Sequence, residues 1–333
     1  MNSSIENLRL LSGKSHPILA KAISDILRLP LVESKIDRFD NLEIHTQIME
    51  NIRRRNMVII QTGVSRPEIN YSINDFIMEI LIMADACRRS SVNDITLLIP
   101  CFPYARQDKK DVSRAPISAR LMADLFETAG ITRVVTLDLH ASQIGGMFKI
   151  PVDNLYAMNT ITTFLTKHLQ LLVKSDQYIL VSPDAGGIKR MDALAQKLQM
   201  SSIIMSKSRD HQQKSVVIKT ELIGKGTSVE GKSCIIVDDM CDTAGTIIRA
   251  SETLMENGAK DVIVLVVHGI LSGPAIDRLN NAKYIKQVIV TNSLPQEENQ
   301  KRCHKLIVID VAPLLAEVIR RLNTGDSISD LFN

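Results

Sequence analysis

Cys234-Ile235-Ile236-Val237-Asp238-Asp239-Met240-Cys241-Asp242-Thr243-Ala244-Gly245-Thr246 is the stretch on which the reading of the fold turns. Residues 234–237 form an apolar run of strand length, too short for a buried helix. Residues 243–257 then carry a helical pattern, and Gly258 stands where a C-terminal cap belongs. A buried strand, a polar loop and an amphipathic helix in that order describe one unit of an α/β sheet, in which ligands bind at the carboxyl ends of the strands. Two adjacent carboxylates, Asp238 and Asp239, suit the vicinal hydroxyls of a sugar or a hydrated cation. The Thr-Ala-Gly-Thr turn brings backbone N–H groups and hydroxyls to the start of a helix, a combination suited to a phosphate. The plainer alternative is an acidic turn in which Asp242 or Thr243 only caps the helix.

The same alternation extends along the chain. Segments 57–61, 95–99, 134–137, 178–181, 262–267 and 306–309 read as further buried strands. Segments 73–88, 116–129, 157–172 and 187–198 read as helices, with Pro116 suited to a first turn and Gly130 to a cap. Strands alternating with helices imply mainly parallel sheets flanked by helices. A break near Ile150-Pro151-Val152-Asp153 divides the chain into two α/β domains, 1–153 and 154–310. The C-terminal helix, 311–323, is a candidate to pack back on the first. The halves share an architecture but no residue-level repeat, so periodicity alone does not establish a duplication.

Composition excludes several classes of function. The 333 residues are 45% apolar and 23% charged, values of an ordinary globular protein. Lys plus Arg is 40 against 37 for Asp plus Glu, a net charge of +3. This balance, with 4% aromatics and no Trp, argues against a nucleic-acid partner. Cys87, Cys101, Cys234, Cys241 and Cys303 form no C-x-x-C pair, so neither a disulfide framework nor a structural zinc site is expected. No basic segment followed by a long apolar run opens the chain, and its apolar runs are too short to span a bilayer. The expectation is a cytoplasmic protein with no membrane association.

Four more segments carry candidate chemistry. In Ser182-Pro183-Asp184-Ala185-Gly186-Gly187, paired glycines let phosphate oxygens approach the backbone and Asp184 offers an oxygen to a metal-bound water. An ordinary strand-to-helix turn explains that segment equally well. Asp138-Leu139-His140-Ala141 follows the strand ending at Leu137, although a lone His is more often structural. Between Tyr104 and Arg114, basic and amide side chains could clamp a polyphosphate, against the alternative of a solvated charge run. Lys207-Ser208-Arg209 is by default a surface loop. Gly226 to Ser233 fits the pattern G-x-x-x-x-G-K-S, but a strand follows it where a phosphate-binding loop needs a helix, so it is read as a turn.

These residues together are recognisable. The segment from Val237 to Thr246 looks like the ribose-5-phosphate loop of type I phosphoribosyltransferase folds. With Pro100-Cys101-Phe102-Pro103-Tyr104-Ala105-Arg106-Gln107-Asp108-Lys109-Lys110, the Asp138 and Asp184 segments and nearly end-to-end likeness, the chain resembles the ribose-phosphate pyrophosphokinase (phosphoribosyl pyrophosphate synthetase) family. The resemblance implies two phosphoribosyltransferase-like domains, each with a mainly parallel sheet, and an active site where they meet. It implies Mg²⁺-dependent transfer of the pyrophosphoryl group of ATP to the 1-hydroxyl of ribose 5-phosphate, releasing AMP. By motif, Asp242, Thr243, Ala244, Gly245 and Thr246 would bind the 5-phosphate, and Asp238 and Asp239 the ribose hydroxyls. Asp184, Ala185, Gly186 and Gly187 would cradle the pyrophosphate. His140 and Asp184, with Asp138 beside them, would serve the metal. Arg106, Gln107 and Asp111 would bind ATP. Phe39, Asn41 and Glu43 match an adenine-binding segment lent by a neighbouring subunit, implying a homo-oligomer, a hexamer in the family. Lys207, Arg209 and His140 would carry the catalysis.

The departures from the family pattern are specific. Lys149 stands where many members carry an acid, Asn51 replaces a serine before Arg53, and 212–232 is a few residues longer than usual. Ser113-Arg114 and Ser327-Ile328-Ser329 match a regulatory site for phosphate and ADP. Two other readings are a non-catalytic associated subunit of the same fold and a base-salvage phosphoribosyltransferase. Intact Arg106, His140, Asp184, Lys207 and Arg209 argue against the first, and the ATP-side segments against the second.

Overall fold

A computed structural model describes residues 7–168, 177–209, 218–224 and 227–332, with backbone only for 206–209 and 218–221. The chain forms two compact units. The first takes the chain up to Ala157, then Asn292–Pro295 and the stretch from Asp310; the second holds Met158–Thr291 and Gln296–Ile309.

In the first unit, β1 (Leu8–Ser12), β4 (Asn56–Ile60), β5 (Asp94–Leu98), β6 (Arg133–Leu137) and β7 (Val152–Leu155) lie in that order in a wholly parallel sheet. Helices α1 (Pro17–Leu27), α2 (Ile73–Arg89) and α3 (Ser118–Ala129) join successive sheet strands, and all three are amphipathic. Ile59, Leu97, Met83 and Phe126 are wholly buried in the core. Parallel strands covered on both faces need such continuous apolar runs. The helix α2 opens on a reciprocal cap: the Asp75 amide donates to Ser72 Oγ, and the Asp75 carboxylate accepts from the Ser72 amide. An antiparallel hairpin of β2 (Ser34–Arg38) and β3 (Ile44–Ile48) stands apart from the sheet.

In the second unit, α4 (Met158–His168) leads to a sheet ordered β10-β9-β8-β11-β12-β13-β14. Its strands are β8 (Tyr178–Ser182), β9 (Ser202–Arg209), β10 (Ile218–Ile223), β11 (Ser233–Cys241), β12 (Asp261–Gly269), β13 (Ile285–Thr291) and β14 (Leu306–Ile309). Only the β9–β10 pair is antiparallel. The helices are α5 (Ile188–Leu198), α6 (Gly245–Glu256), α7 (Ala275–Asn281) and α8 (Glu297–Arg302). The last helix, α9 (Ala312–Thr324), belongs to the first unit and packs on α1. Both sheets are mainly parallel α/β structures flanked by helices, as the alternation of apolar runs and helical patterns predicts. Among the described residues no helix is long and apolar enough to cross a membrane. All five cysteines are buried thiols, and burial pushes those of Cys87 and Cys234 up to about 12.

Several boundaries differ from expectation. The strand β11 does not stop at Val237: it continues through Asp238 and Asp239 to Cys241, because Asp238 pairs with Val266 and Met240 with His268 of β12. The acidic pair therefore sits on a strand rather than in a loop. The helix α6 starts at Gly245, not Thr243; Ala244 is its N-cap, in a left-handed conformation (φ 60°), and no side chain caps it. Neither Asp242 nor Thr243 fills the capping role. Pro116 lies ahead of α3, whose N-cap is Ile117. The helix read over 157–172 is described as far as His168. Of the rejected phosphate-loop pattern, Gly231 turns (φ 70°) and leads through Lys232 into β11, while Gly226 lies outside the described residues.

Candidate active site

The acidic end of β11 is the electrostatic centre of the second unit. Strands β8 and β11 are parallel neighbours in register from Tyr178 opposite Ser233 to Val181 opposite Ile236. Their carboxyl ends therefore deliver Asp184 and Asp238 to the same edge of the sheet. Burial pushes the Asp238 carboxyl up to about 7, and the charges of Asp239 and Asp184 add to that push. Asp239 is 5% exposed, and its amide donates to Asp238 Oδ1 at 2.9 Å. Carboxylate oxygens are hard, negatively charged donors of the kind Mg²⁺ takes, although among the described residues no three His, Cys, Asp or Glu side chains form a group that could hold a metal ion.

The loop beyond β11 is pinned on its outer side. The Leu271 amide donates to Cys241 O at 2.9 Å, and the Ser272 hydroxyl donates to the Asp242 carboxylate. The Ile248 amide donates to Ala244 O at 2.9 Å and closes the first turn of α6. The N–H groups at the start of a helix have no acceptor within it, which gives this turn the backbone chemistry suited to an anion.

At the end of β8 the chain folds on itself. Ser182 Oγ donates to Asp184 O at 2.7 Å, while the amides of Gly186 and Gly187 donate to Asp184 Oδ1 at 2.8 and 3.3 Å. The glycine amides thus already hold an anionic oxygen, the chain's own carboxylate, where a phosphate oxygen would lie. A Cβ on Gly187 would come 2.6 Å from Ser182 Oγ and 3.3 Å from Val237 O. Gly187→Ala is therefore expected to displace the turn and cut turnover at least tenfold with the chain still folded; steady-state kinetics beside a circular-dichroism spectrum check it.

Lys207 and Arg209 stand on β9, opposite Thr220 and Ile218 of β10. Ile204 pairs with Ser182, so the run of β9 from Lys207 to Arg209 continues past the end of β8 at the Asp184 edge. The side chains of Lys207 and Arg209, and residues 210–217 of the long connection, lie outside the described set.

The first unit gathers a second group of residues at its own carboxyl edge. The loop after β5 holds Arg106, Gln107 and Asp111, all exposed. It is tied to α3, since the Ala119 amide donates to Gln107 O at 3.2 Å and the Ser118 hydroxyl to Gln107 Oε1. Gln143 Nε2 donates to Asp108 Oδ2 at 2.6 Å, joining this loop to the one after β6 that carries exposed His140. Asp138 is 4% exposed, has φ 43°, and accepts the Ala157 amide on Oδ2 at 2.7 Å, which ties the end of β6 to the residues after β7.

The β2–β3 hairpin displays Phe39, 56% exposed, with Asn41 and Glu43 exposed beside it. The tip is closed by Phe39 N to Glu43 O at 2.9 Å and Leu42 N to Phe39 O at 2.8 Å. Next to the tip, Arg38, paired with Ile44, lies 3.5 Å over the Tyr71 ring, donates to Asn70 O at 2.7 Å and approaches Asp75 at 2.9 Å. The His45 and Phe39 rings are 5.2 Å apart. Tyr71, Gln143 and Ser272 have no motif to announce them; the fold alone brings them to these segments.

Comparison with known proteins places this geometry. The family model described as the N-terminal domain of ribose phosphate pyrophosphokinase matches residues 8–130, and that of the phosphoribosyl synthetase-associated domain matches 218–333. Ribose-phosphate pyrophosphokinase 4 of Saccharomyces cerevisiae is 47% identical across 98% of this chain and 95% of its own length. The chain belongs to the ribose-phosphate pyrophosphokinase family. Ribose-phosphate pyrophosphokinase A of Dictyostelium discoideum is 45% identical across 98% of both chains. The crystal structure of phosphoribosylpyrophosphate synthetase from Mycobacterium smegmatis superposes with a TM-score of 0.86 at 39% identity, covering 96% of this chain and 99% of that one. The pyrophosphokinase family models leave out 131–217, with His140, Asp184 and Lys207, but the full-length relatives span that stretch.

Proposed function

We infer that this chain acts as a ribose-phosphate pyrophosphokinase, transferring the pyrophosphoryl group of ATP to the 1-hydroxyl of ribose 5-phosphate and releasing AMP. Full-length kinship with curated pyrophosphokinases carries the inference. The site geometry supports it with an acidic strand end, a glycine turn already holding an anionic oxygen, and a phosphate-type helix start in one unit.

Each group then has a task. Asp238 and Asp239 hold the ribose hydroxyls, and the turn 242–246 holds the 5-phosphate, fixing the 1-hydroxyl for in-line attack. When the pyrophosphate arrives, Asp184 releases the Gly186 and Gly187 amides to it. Arg106, Gln107 and Asp111 bind ATP, and Phe39, Asn41 and Glu43 take the adenine of a neighbouring subunit's ATP in a homo-oligomer. Lys207 and Arg209 meet the negative charge that grows on the transferred group and on leaving AMP. Asp184 and His140 would hold Mg²⁺, which neutralises phosphate charge when bound.

Regulation by phosphate and ADP at Ser113-Arg114 and Ser327–Ser329 belongs to the same reading. Asn51, the departure beside that site, accepts the Arg53 amide on its side-chain oxygen at 3.0 Å, a turn a serine hydroxyl also makes. The test of the whole reading is AMP formation from ATP and ribose 5-phosphate. AMP is expected with Mg²⁺ and not without it; none from folded protein supplied with phosphate and Mg²⁺ overturns the assignment.

A further inference from the structure

The turn read as the 5-phosphate seat has a charge problem. Asp238 and Asp239 lie on the strand before it, Asp242 opens it, and Asp184 follows the end of the neighbouring strand β8. A sugar phosphate brings about two more negative charges at neutral pH. Backbone amides and a helix terminus supply only fractions of a positive charge. An opposing full charge is needed close by.

The fold supplies two. Nη1 of Arg278, on α7, donates to Thr243 O at 2.8 Å. A Cβ on Gly245 would lie 3.4 Å from that same Nη1 and 4.0 Å from Nη1 of Arg249, on α6. Two guanidinium groups from different helices therefore converge on the backbone of Gly245, in the middle of the turn. The contact also orients the peptide. Because a trans peptide is planar, with C=O and N–H antiparallel in that plane, a Thr243 carbonyl held by Arg278 fixes the Ala244 N–H in the opposite direction, away from Arg278. Arg278 is thus placed to add charge and to set the direction of an amide at once.

We propose that Arg278, seconded by Arg249, is a positioning and specificity residue for the phosphate ester of the sugar, holding the turn 242–246 open to a dianion and offsetting its four aspartates. This rests on the reading that the turn takes the 5-phosphate. Neither arginine lies within a recognisable motif; α7 is brought to the turn only by the course of β11, β12 and the connection at Leu271-Ser272. Both side chains are exposed, so part of their effect is screened by salt.

The test uses the full-length enzyme. Arg278→Ala is expected to raise KM for ribose 5-phosphate about tenfold or more, with KM for ATP within about twofold and kcat within a few fold. Arg278→Lys should recover part of the loss, since it restores charge without the fork. Arg249→Ala should show the same selectivity more weakly. Calorimetric titration with ribose 5-phosphate alone should repeat the ranking without turnover. Thr246→Val, which removes a hydroxyl of the turn itself, separates the two layers of the argument. If Thr246→Val raises KM for ribose 5-phosphate and both arginine variants leave it unchanged, the proposal fails and the phosphate seat stands. If no variant changes it, the seat itself is misplaced and the proposal falls with it. If Arg278→Ala weakens both substrates alike with a lowered melting temperature and Arg278→Lys restores nothing selectively, Arg278 is a structural clamp and the proposal is overturned.

Discussion

Lys207→Ala lowers kcat by about a hundredfold to a thousandfold and leaves both KM values close to those of the parent enzyme. The expectation follows from where charge moves. In the ground state the polyphosphate is already partly neutralised, whereas leaving AMP and the transferred group gain charge only as the bond breaks. On the proposed reading, a cation carried on β9, whose backbone runs beyond the end of β8, would meet that growing charge and contribute little to substrate binding. Lys207→Arg should keep more of the rate than Lys207→Ala, because charge is retained although reach and geometry change. Steady-state kinetics on both variants decide the matter. Full turnover in Lys207→Ala would remove the transition-state role.

Asp238→Asn should abolish most activity and yet stabilise the ligand-free protein. Its carboxyl is pushed up to about 7 by burial and by the charges of Asp239 and Asp184. A carboxyl that binds its proton more tightly when folded favours folding in acid, and that contribution is lost as pH rises from about 4, its unfolded value, to about 7. Above pH 7 the folded chain therefore holds an ionised Asp238 at a cost that asparagine does not carry. The variant's melting temperature should match the parent's near pH 4 and exceed it by a few degrees at pH 8. Turnover should fall about a hundredfold or more, since a carboxylate that accepts from a sugar hydroxyl becomes an amide. Thermal melts at the two pH values, beside kinetics, measure both. An equal melting temperature at pH 8 would show that the repulsion is not stored in the apo site. On the proposed reading, function and stability oppose one another at this residue, as expected for a carboxylate kept to hold a sugar.

What was legible in the sequence follows from how far apart the determinants lie. The central strands β4, β5, β6, β8, β11 and β12 show themselves because burial on both faces demands unbroken apolar runs. The acids of β11 show themselves as neighbours in the chain, although their pairing with β12 extends the strand past the last apolar residue. The hairpin strands Ser34–Arg38 and Ile44–Ile48 carry no such signal. They are half-exposed, and their placement depends on Arg38 stacking on Tyr71, a residue outside the hairpin. Asp138 was legible as a carboxylate at a strand end, but its hold on the Ala157 amide was not, because that partner lies beyond the next strand. Arg278 was invisible because its partner, Thr243 O, is a backbone atom far back along the chain.

The two returns of the chain to its first unit govern how it can be made. Thr62 Oγ1 donates to Ser293 O at 2.8 Å, His16 Nε2 lies 2.9 Å from Asn292 O, and α9 closes over α1. On the ribosome, the N-terminal sheet therefore emerges without the pieces that seal it, and roughly ten seconds or more pass before they are synthesised. Throughout that interval α1 presents the apolar face that α9 later covers. A nascent chain of this topology is a client for holding chaperones. A premature stop in the final turns of α9 would injure the half of the protein that was translated first.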